Sequence, residues 1–150
     1  MRAIYYTLVW TIWMLGAITS ASAEPGDVCW SKFMSAPLEA IPDCTLLINK
    51  DEWTNNGFKS TIYFKRGVAR LMDALQRKTK KFDGAFDDLT ESIEIEPSPN
   101  RGTAYYFRAN IHMLRGNKSS AVRDFKKSLE LEPNGAFHPD AEKQIKKLGG

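Results

Sequence analysis

Cys29 and Cys44 are the residues of this 150-residue chain best suited to chemistry, and they stand 15 positions apart. Thiols so placed can bind a metal, act as a redox couple or pair as a structural bridge. A metal needs more ligands, and the two histidines, His112 and His138, lie far along the chain from both cysteines. Redox couples usually have the tighter C-x-x-C spacing. An even count in an exported chain reads as one disulfide. Its loop would contribute about 3 kcal/mol in the chain-entropy account. No Gly-rich phosphate loop, H-E-x-x-H or G-x-S-x-G occurs, and bridged thiols are unavailable as nucleophiles. The expectation is a non-enzymatic protein without cofactor or metal; a site assembled from distant residues is the enzymatic alternative.

Export is read from the first residues. Arg2 precedes a mostly apolar stretch, Ile4 to Ile18, and small residues follow, ending Ala21-Ser22-Ala23 before the polar Glu24-Pro25-Gly26-Asp27. That order is a secretory signal peptide over 1–23. The apolar run is short for a span of about 20 residues, although an uncleaved anchor is the rival reading. Gly26-Asp27-Val28-Cys29 lacks the small residue expected before a lipidated cysteine. The reading is therefore an exported periplasmic or secreted protein, with no stable membrane insertion after cleavage. Residues 24–150 suffice for one small domain. The chain's net charge is +3, and removing Arg2 leaves it too small to imply nucleic acid.

The elements that would position anything else come from an internal repeat. Ala85, Asp88, Ser92, Glu94, Glu96 and Pro97 recur 36 residues later as Ala121, Asp124, Ser128, Glu130, Glu132 and Pro133. Upstream, Tyr63-Phe64-Lys65-Arg66-Gly67 answers Tyr105-Tyr106-Phe107-Arg108-Ala109, and Leu71-Met72 answers Met113-Leu114. Ala121, Phe125, Ser128 and Leu129 share one helical face. Pro97 and Pro133 end the second helices, and Gly116-Asn117 suits the turn between the last two. Gly67 and Ala109 imply close approach of a partner helix, because a mid-helix glycine otherwise costs about 1 kcal/mol. Arg66 and Arg108 are expected to pair with carboxylates such as Asp88 or Asp124 on the neighbouring helix, with ligand binding as the alternative role. Tyr63 to Ala85 is 22 residues but Tyr105 to Ala121 is 16, so six extra residues fall within about 73–81.

Ala104-Tyr105, Ala109, Gly116, Ala121, Phe125, Leu129 and Pro133 resemble the signature of the tetratricopeptide repeat, and the Tyr63–Pro97 unit is similar with departures. The implied fold is all-α: a right-handed stack of antiparallel helical hairpins. The expected order is a cysteine-stapled leading pair over 28–50, repeats over 57–97 and 101–134, and a capping helix over 139–148. In that helix Asp140 would be the cap, with Ala141, Ile145 and Leu148 inward. Pro42 fits the leading pair only in a helix's first turn.

The resemblance also implies a partner: another protein or a peptide, held on the concave face lined by the first helix of each unit. Carried over by position, the groove residues are Phe64, Lys65 and Val68, then Tyr106, Asn110 and Met113. For Phe64 and Tyr106, packing between neighbouring hairpins is the competing role. An adaptor or structural subunit binding through edge or convex surfaces is the alternative function, and self-association through an uncapped edge is a further one. Arg77-Lys78-Thr79-Lys80-Lys81 reads either as a solvated extension or as a contact for an acidic partner or phospholipid.

Overall fold

A computed structural model of the chain describes residues 27–50 and 55–150. The leader expected over 1–23 lies outside the described residues. Among the described residues seven helices follow in order: α1 (Asp27–Lys32), α2 (Pro37–Lys50), α3 (Asn56–Gln76), α4 (Asp83–Glu94), α5 (Arg101–Leu114), α6 (Lys118–Leu131) and α7 (His138–Leu148). No strand occurs among the described residues. Each helix packs on the next in the chain, and α3 also touches α1 and α5. Short connections force consecutive helices antiparallel, and the contacts that skip one helix make the hairpins a stack.

Local chemistry explains where the helices start and stop. Asn55 caps α3, accepting a hydrogen bond from the Phe58 N–H at 2.8 Å. The orphan amides of α5 are served from afar: Glu132, just past α6, accepts from the Thr103 N–H at 2.9 Å. At their far ends α3 and α5 close in the same way. Thr79 and Lys78 donate back to the Ala74 and Leu75 carbonyls, and Asn117 and Gly116 to those of His112 and Met113. Both are Schellman ends with one left-handed residue, Lys78 at φ 54° and Gly116 at φ 78°. α4 and α6 stop three and two residues before Pro97 and Pro133.

The core runs through the stack as three linked clusters. Val68, Leu71, Leu89 and Ile111 join α3, α4 and α5; Ala109, Ala121, Phe125 and Ala141 join α5, α6 and α7; Cys29, Cys44 and Ile62 join α1, α2 and α3. The Cys29–Cys44 disulfide is present and fully buried. Gly67 lies against α4: a Cβ there would stand 3.0 Å from Leu89 Cγ and 3.1 Å from Asp88 Cβ. The close approach expected at this position is real.

Two expectations need correction. Pro42 lies inside α2, not in its first turn, where Pro37 sits instead. It is exposed, so water can serve the carbonyl that its missing N–H leaves free. Asp140 does not cap α7. The cap position is Phe137, without a side-chain hydrogen bond, and Asp140 sits in the first turn, accepting from Tyr106. Ala141 and Ile145 are buried, and Leu148 packs against the same cluster.

Candidate functional site

Charged residues inside the stack come first, because they hold its helices in register. Arg66 makes a two-pronged contact with Asp88, Nε to Oδ2 at 2.9 Å and Nη2 to Oδ1 at 2.7 Å, and its Nη1 reaches Thr45 of α2 at 3.2 Å. Arg108 repeats this with Asp124, at 2.7 and 3.2 Å, and its Nη1 reaches Thr90 of α4 at 3.2 Å. Tyr63 and Tyr105 cover the two guanidinium groups. Each arginine therefore ties its own hairpin together and hooks the preceding helix. The parallel makes Thr45, and with it α2, the second helix of a preceding hairpin. His112 packs edge-on to Phe86 at 5.1 Å, with Nε2 3.7 Å from Asp124. Burial pushes its pKa below the usual histidine value despite that carboxylate, and three nearby arginines push the same way.

A run of rings crosses the first helices of the units. Phe33 meets Phe64, Phe64 meets Phe107, and Phe107 meets Phe137, with centroids 6.2, 6.1 and 5.3 Å apart; Tyr106 stacks on Phe137 at 4.4 Å. Phe33 from the α1–α2 connection and Phe137 from the approach to α7 thus cover this part of the face. Beyond the rings no described residue closes the face. A cleft of about 330 Å³ lies between the C-terminal halves of α3 and α5. Leu71, Met72 and Leu75 form one wall and Asn110, Met113 and Leu114 the other. Met34 and Phe137 also line it. Met34, Leu75 and Leu114 are 48%, 43% and 46% exposed, so the walls reach solvent as apolar surface.

The structure separates the two sets of candidate residues. Tyr106, Asn110 and Met113 all line the cleft. Tyr106 donates its hydroxyl to Asp140 at 2.8 Å, and its pKa is pushed up to about 12 by burial first and by Asp140 second. Asn110 donates to the Tyr106 carbonyl oxygen at 2.9 Å. Phe64, Lys65 and Val68 do not line it. Phe64 and Val68 are core residues. Lys65 lies over the rings of Trp30 and Phe33, 4.4 and 4.0 Å from their centroids, and donates to the Trp30 carbonyl at 3.1 Å. Burial lowers its pKa. The cause is the leading pair, whose Trp30 and Phe33 cover the first half of α3. The wall residues of α3 were detectable by alignment, since Leu71-Met72 answers Met113-Leu114. Met34 and Phe137 carry no such signal, because they come from connections outside the repeat.

A larger depression of about 570 Å³ runs along α5 and α6, lined by Arg108, Asp124, Lys126, Lys127 and Glu130 among others. Several of its charges answer one another: Arg108 pairs with Asp124, and Lys127 with Glu130 at 2.7 Å. It reads as a solvated face. Among the described residues no cluster of His, Cys, Asp and Glu could hold a metal, and no helix is long and apolar enough to cross a membrane.

Residues 102–134 match the tetratricopeptide repeat model. Bacteriophage adsorption protein A of Escherichia coli (strain K12) is 50% identical over 52 residues, 35% of this chain and 5% of that protein. The SGT1 homologue of Bos taurus is 46% identical over 52 residues, 35% of this chain and 15% of that protein. The DnaJ homolog subfamily C member 7 homolog of Dictyostelium discoideum is 29% identical over 119 residues, 79% of this chain and 20% of its own length. The chain thus spans a fifth or less of these relatives.

Proposed function

We propose that this tetratricopeptide-repeat protein is a binding scaffold that seats an apolar segment of another protein in the cleft between α3 and α5. One observation carries the reading: the first-helix face is filled by its own aromatic rings over one half and left apolar and open over the other. A short stack has little groove to offer, so a few buried side chains of the partner would supply most of the affinity. Three methionines, Met34, Met72 and Met113, line the cleft and suit it to partners of varied shape. The work of this surface is binding rather than catalysis.

The test uses fluorescent peptides rich in leucine and phenylalanine. Met72→Asp with Met113→Asp should weaken their binding at least about tenfold, or about 1.4 kcal/mol. Leu131→Asp, on α6 and away from the cleft, should leave it unchanged. Equal binding by the cleft variant and the parent chain would remove the cleft from the function.

A second reading rests on α2. Leu38 and Leu46 are 56% and 47% exposed, and with exposed Pro42 they stand at spacings of four on one helix face. That stripe suits edge-on docking to another subunit of a complex. Leu38→Glu with Leu46→Glu would separate a partner held there from one held in the cleft.

The same proposal places the protein outside the cytoplasm, periplasmic or secreted. The buried disulfide supports this, because such bonds persist in oxidising compartments. A fusion to a reporter active only after export should be active; an inactive fusion that accumulates in the cytoplasm would refute the placement.

A further inference from the structure

The six residues that lengthen the first unit help to build a second depression, apart from the cleft. Lys78 is 15 positions after Tyr63, but its counterpart Gly116 is only 11 after Tyr105. Four of the extra residues therefore extend α3 by about one turn, and the other two lengthen the loop to α4. Between this overhang and α4 lies a depression of about 260 Å³. Arg70, Asp73 and Arg77 line it from the end of α3, Thr79 and Lys81 from the loop, and Gly84 from the start of α4. Arg70, Asp73 and Arg77 stand at spacings of three and four, along one side of the helix. The cleft wall of Leu71, Met72 and Leu75 lies on another, and the two linings share no residue.

The positive charge gathered here is not used up inside the chain. Arg70 is half-buried, and its Nη1 donates to Asp88 at 2.8 Å and to the Gly84 carbonyl at 3.1 Å. Those contacts fix the guanidinium in place, while its Nε and Nη2 have no partner among the described residues. Arg77 reaches Asp73 through Nε alone, at 2.7 Å. Lys81 is exposed and makes no ion pair among the described residues. Three positive side chains against one carboxylate, Asp73, leave a formal surplus of two. Buried Asp88 does not remove it, because Arg66 and Arg70 share that carboxylate. Like charges brought together in one concavity repel each other until an anion joins them. The second unit gathers no such set: His112 stands at the place of Arg70 and Asn117 at that of Lys81, and Arg115, which matches Arg77, is engaged by Asp83 at 2.5 Å.

We infer that this depression is an oxyanion site that takes a phosphate monoester. Guanidinium groups and an ammonium suit the several oxygens of a phosphate. Its charge of about −1.5 to −2 at pH 7 matches the surplus better than the single charge of a carboxylate does. The start of α4 at the floor adds the positive end of a helix dipole to the field of the side chains. The site is separate from the apolar cleft, and either can fail without the other.

The test is a nitrogen-15 NMR titration of the oxidised chain at constant ionic strength, with inorganic phosphate, glycerol 3-phosphate and acetate. The Gly84 and Ala85 amide signals should move saturably with both phosphates, and acetate should bind at least about tenfold more weakly. R77Q/K81Q should weaken phosphate at least about tenfold with unchanged thermal melting, since both side chains are exposed. K126Q/K127Q, in the larger depression on α6, should leave binding as it was. Shifts that do not saturate, acetate binding as well as phosphate, or full phosphate binding by R77Q/K81Q would overturn the site. Flotation with phosphatidic acid vesicles separates the sources of the group. Capture that R77Q/K81Q loses assigns the site to a lipid headgroup, and absence of capture beside saturable phosphate binding assigns it to a soluble monoester.

Discussion

The α3–α4 and α5–α6 hairpins are built on one plan and present different faces to the outside. Each buries an arginine–aspartate pair, hooks a threonine of the preceding helix and closes its first helix with the same Schellman end. Yet α3 has 21 residues and α5 has 14. The N-terminal half of α3 is covered by the leading pair, and its C-terminal half overhangs as a cleft wall. The lesson is that a repeat's interior is set by residues that must satisfy one another. Its binding surface is set by what is added at the ends and by what lies on top.

The largest expected break is at the buried carboxylates. Asp88→Ala strands both Arg66 and Arg70, whereas Asp124→Ala strands Arg108. Losing one partner of a buried pair costs about 3–5 kcal/mol, and Asp88→Ala should sit at the upper end. Urea unfolding of the two variants checks the order; equal midpoints would mean that the second guanidinium adds nothing.

Next come the small residues between the helices. Gly67→Ala removes a glycine from a helix interior, a gain of up to about 1 kcal/mol, but it drives a methyl group against fully buried Leu89. Overpacking of that kind costs about 1–3 kcal/mol, so the variant should be less stable. A stabilised Gly67→Ala would show that α4 can move away, and that the two hairpins are not equally tight.

The helix ends give a smaller effect. Lys78→Gly should stabilise by up to about 1 kcal/mol, and Gly116→Lys should destabilise by about 1–2 kcal/mol. Thermal melts at one pH and salt concentration measure both. Matching signs would break the equivalence of the two ends.

The smallest effect is a pH dependence confined to the second unit, where His112 stands beside Asp124. Burial lowers its folded-state pKa, so the unfolded chain binds its proton more readily. Its contribution is fully present above the ordinary histidine value of about 6.5 and is lost as pH falls from there through the folded pKa. His112→Gln should flatten the stability profile over that window, read by urea midpoints from pH 5 to 8; an unchanged slope would assign the pH dependence elsewhere.

Periodicity and residue type were enough to mark the helices from Tyr63 onward, the stops before Pro97 and Pro133, the two arginine–aspartate pairs and the bridge from Cys29 to Cys44. All of these follow from local rules, or from groups that cannot stay buried alone: Pro97 and Pro133 disfavour helix in the residues before them, although exposed Pro42 is carried inside α2, and a buried guanidinium must find a carboxylate. The cleft was half legible. Tyr106, Asn110 and Met113 line it as their positions in the repeat suggested, but Phe64, Lys65 and Val68 do not. Whether a side chain on a helix meets solvent depends on what packs across that helix, and one-dimensional spacing carries no record of it. Trp30 and Phe33 come from a short helix and its connection with no repeat signature, and they close over α3 only when the stack assembles. Phe137 covers the face in the same way from the other side. Pattern was thus sufficient for the scaffold, while three-dimensional packing chose which half of its face stays open, because burial belongs to neighbours in space rather than neighbours in the chain.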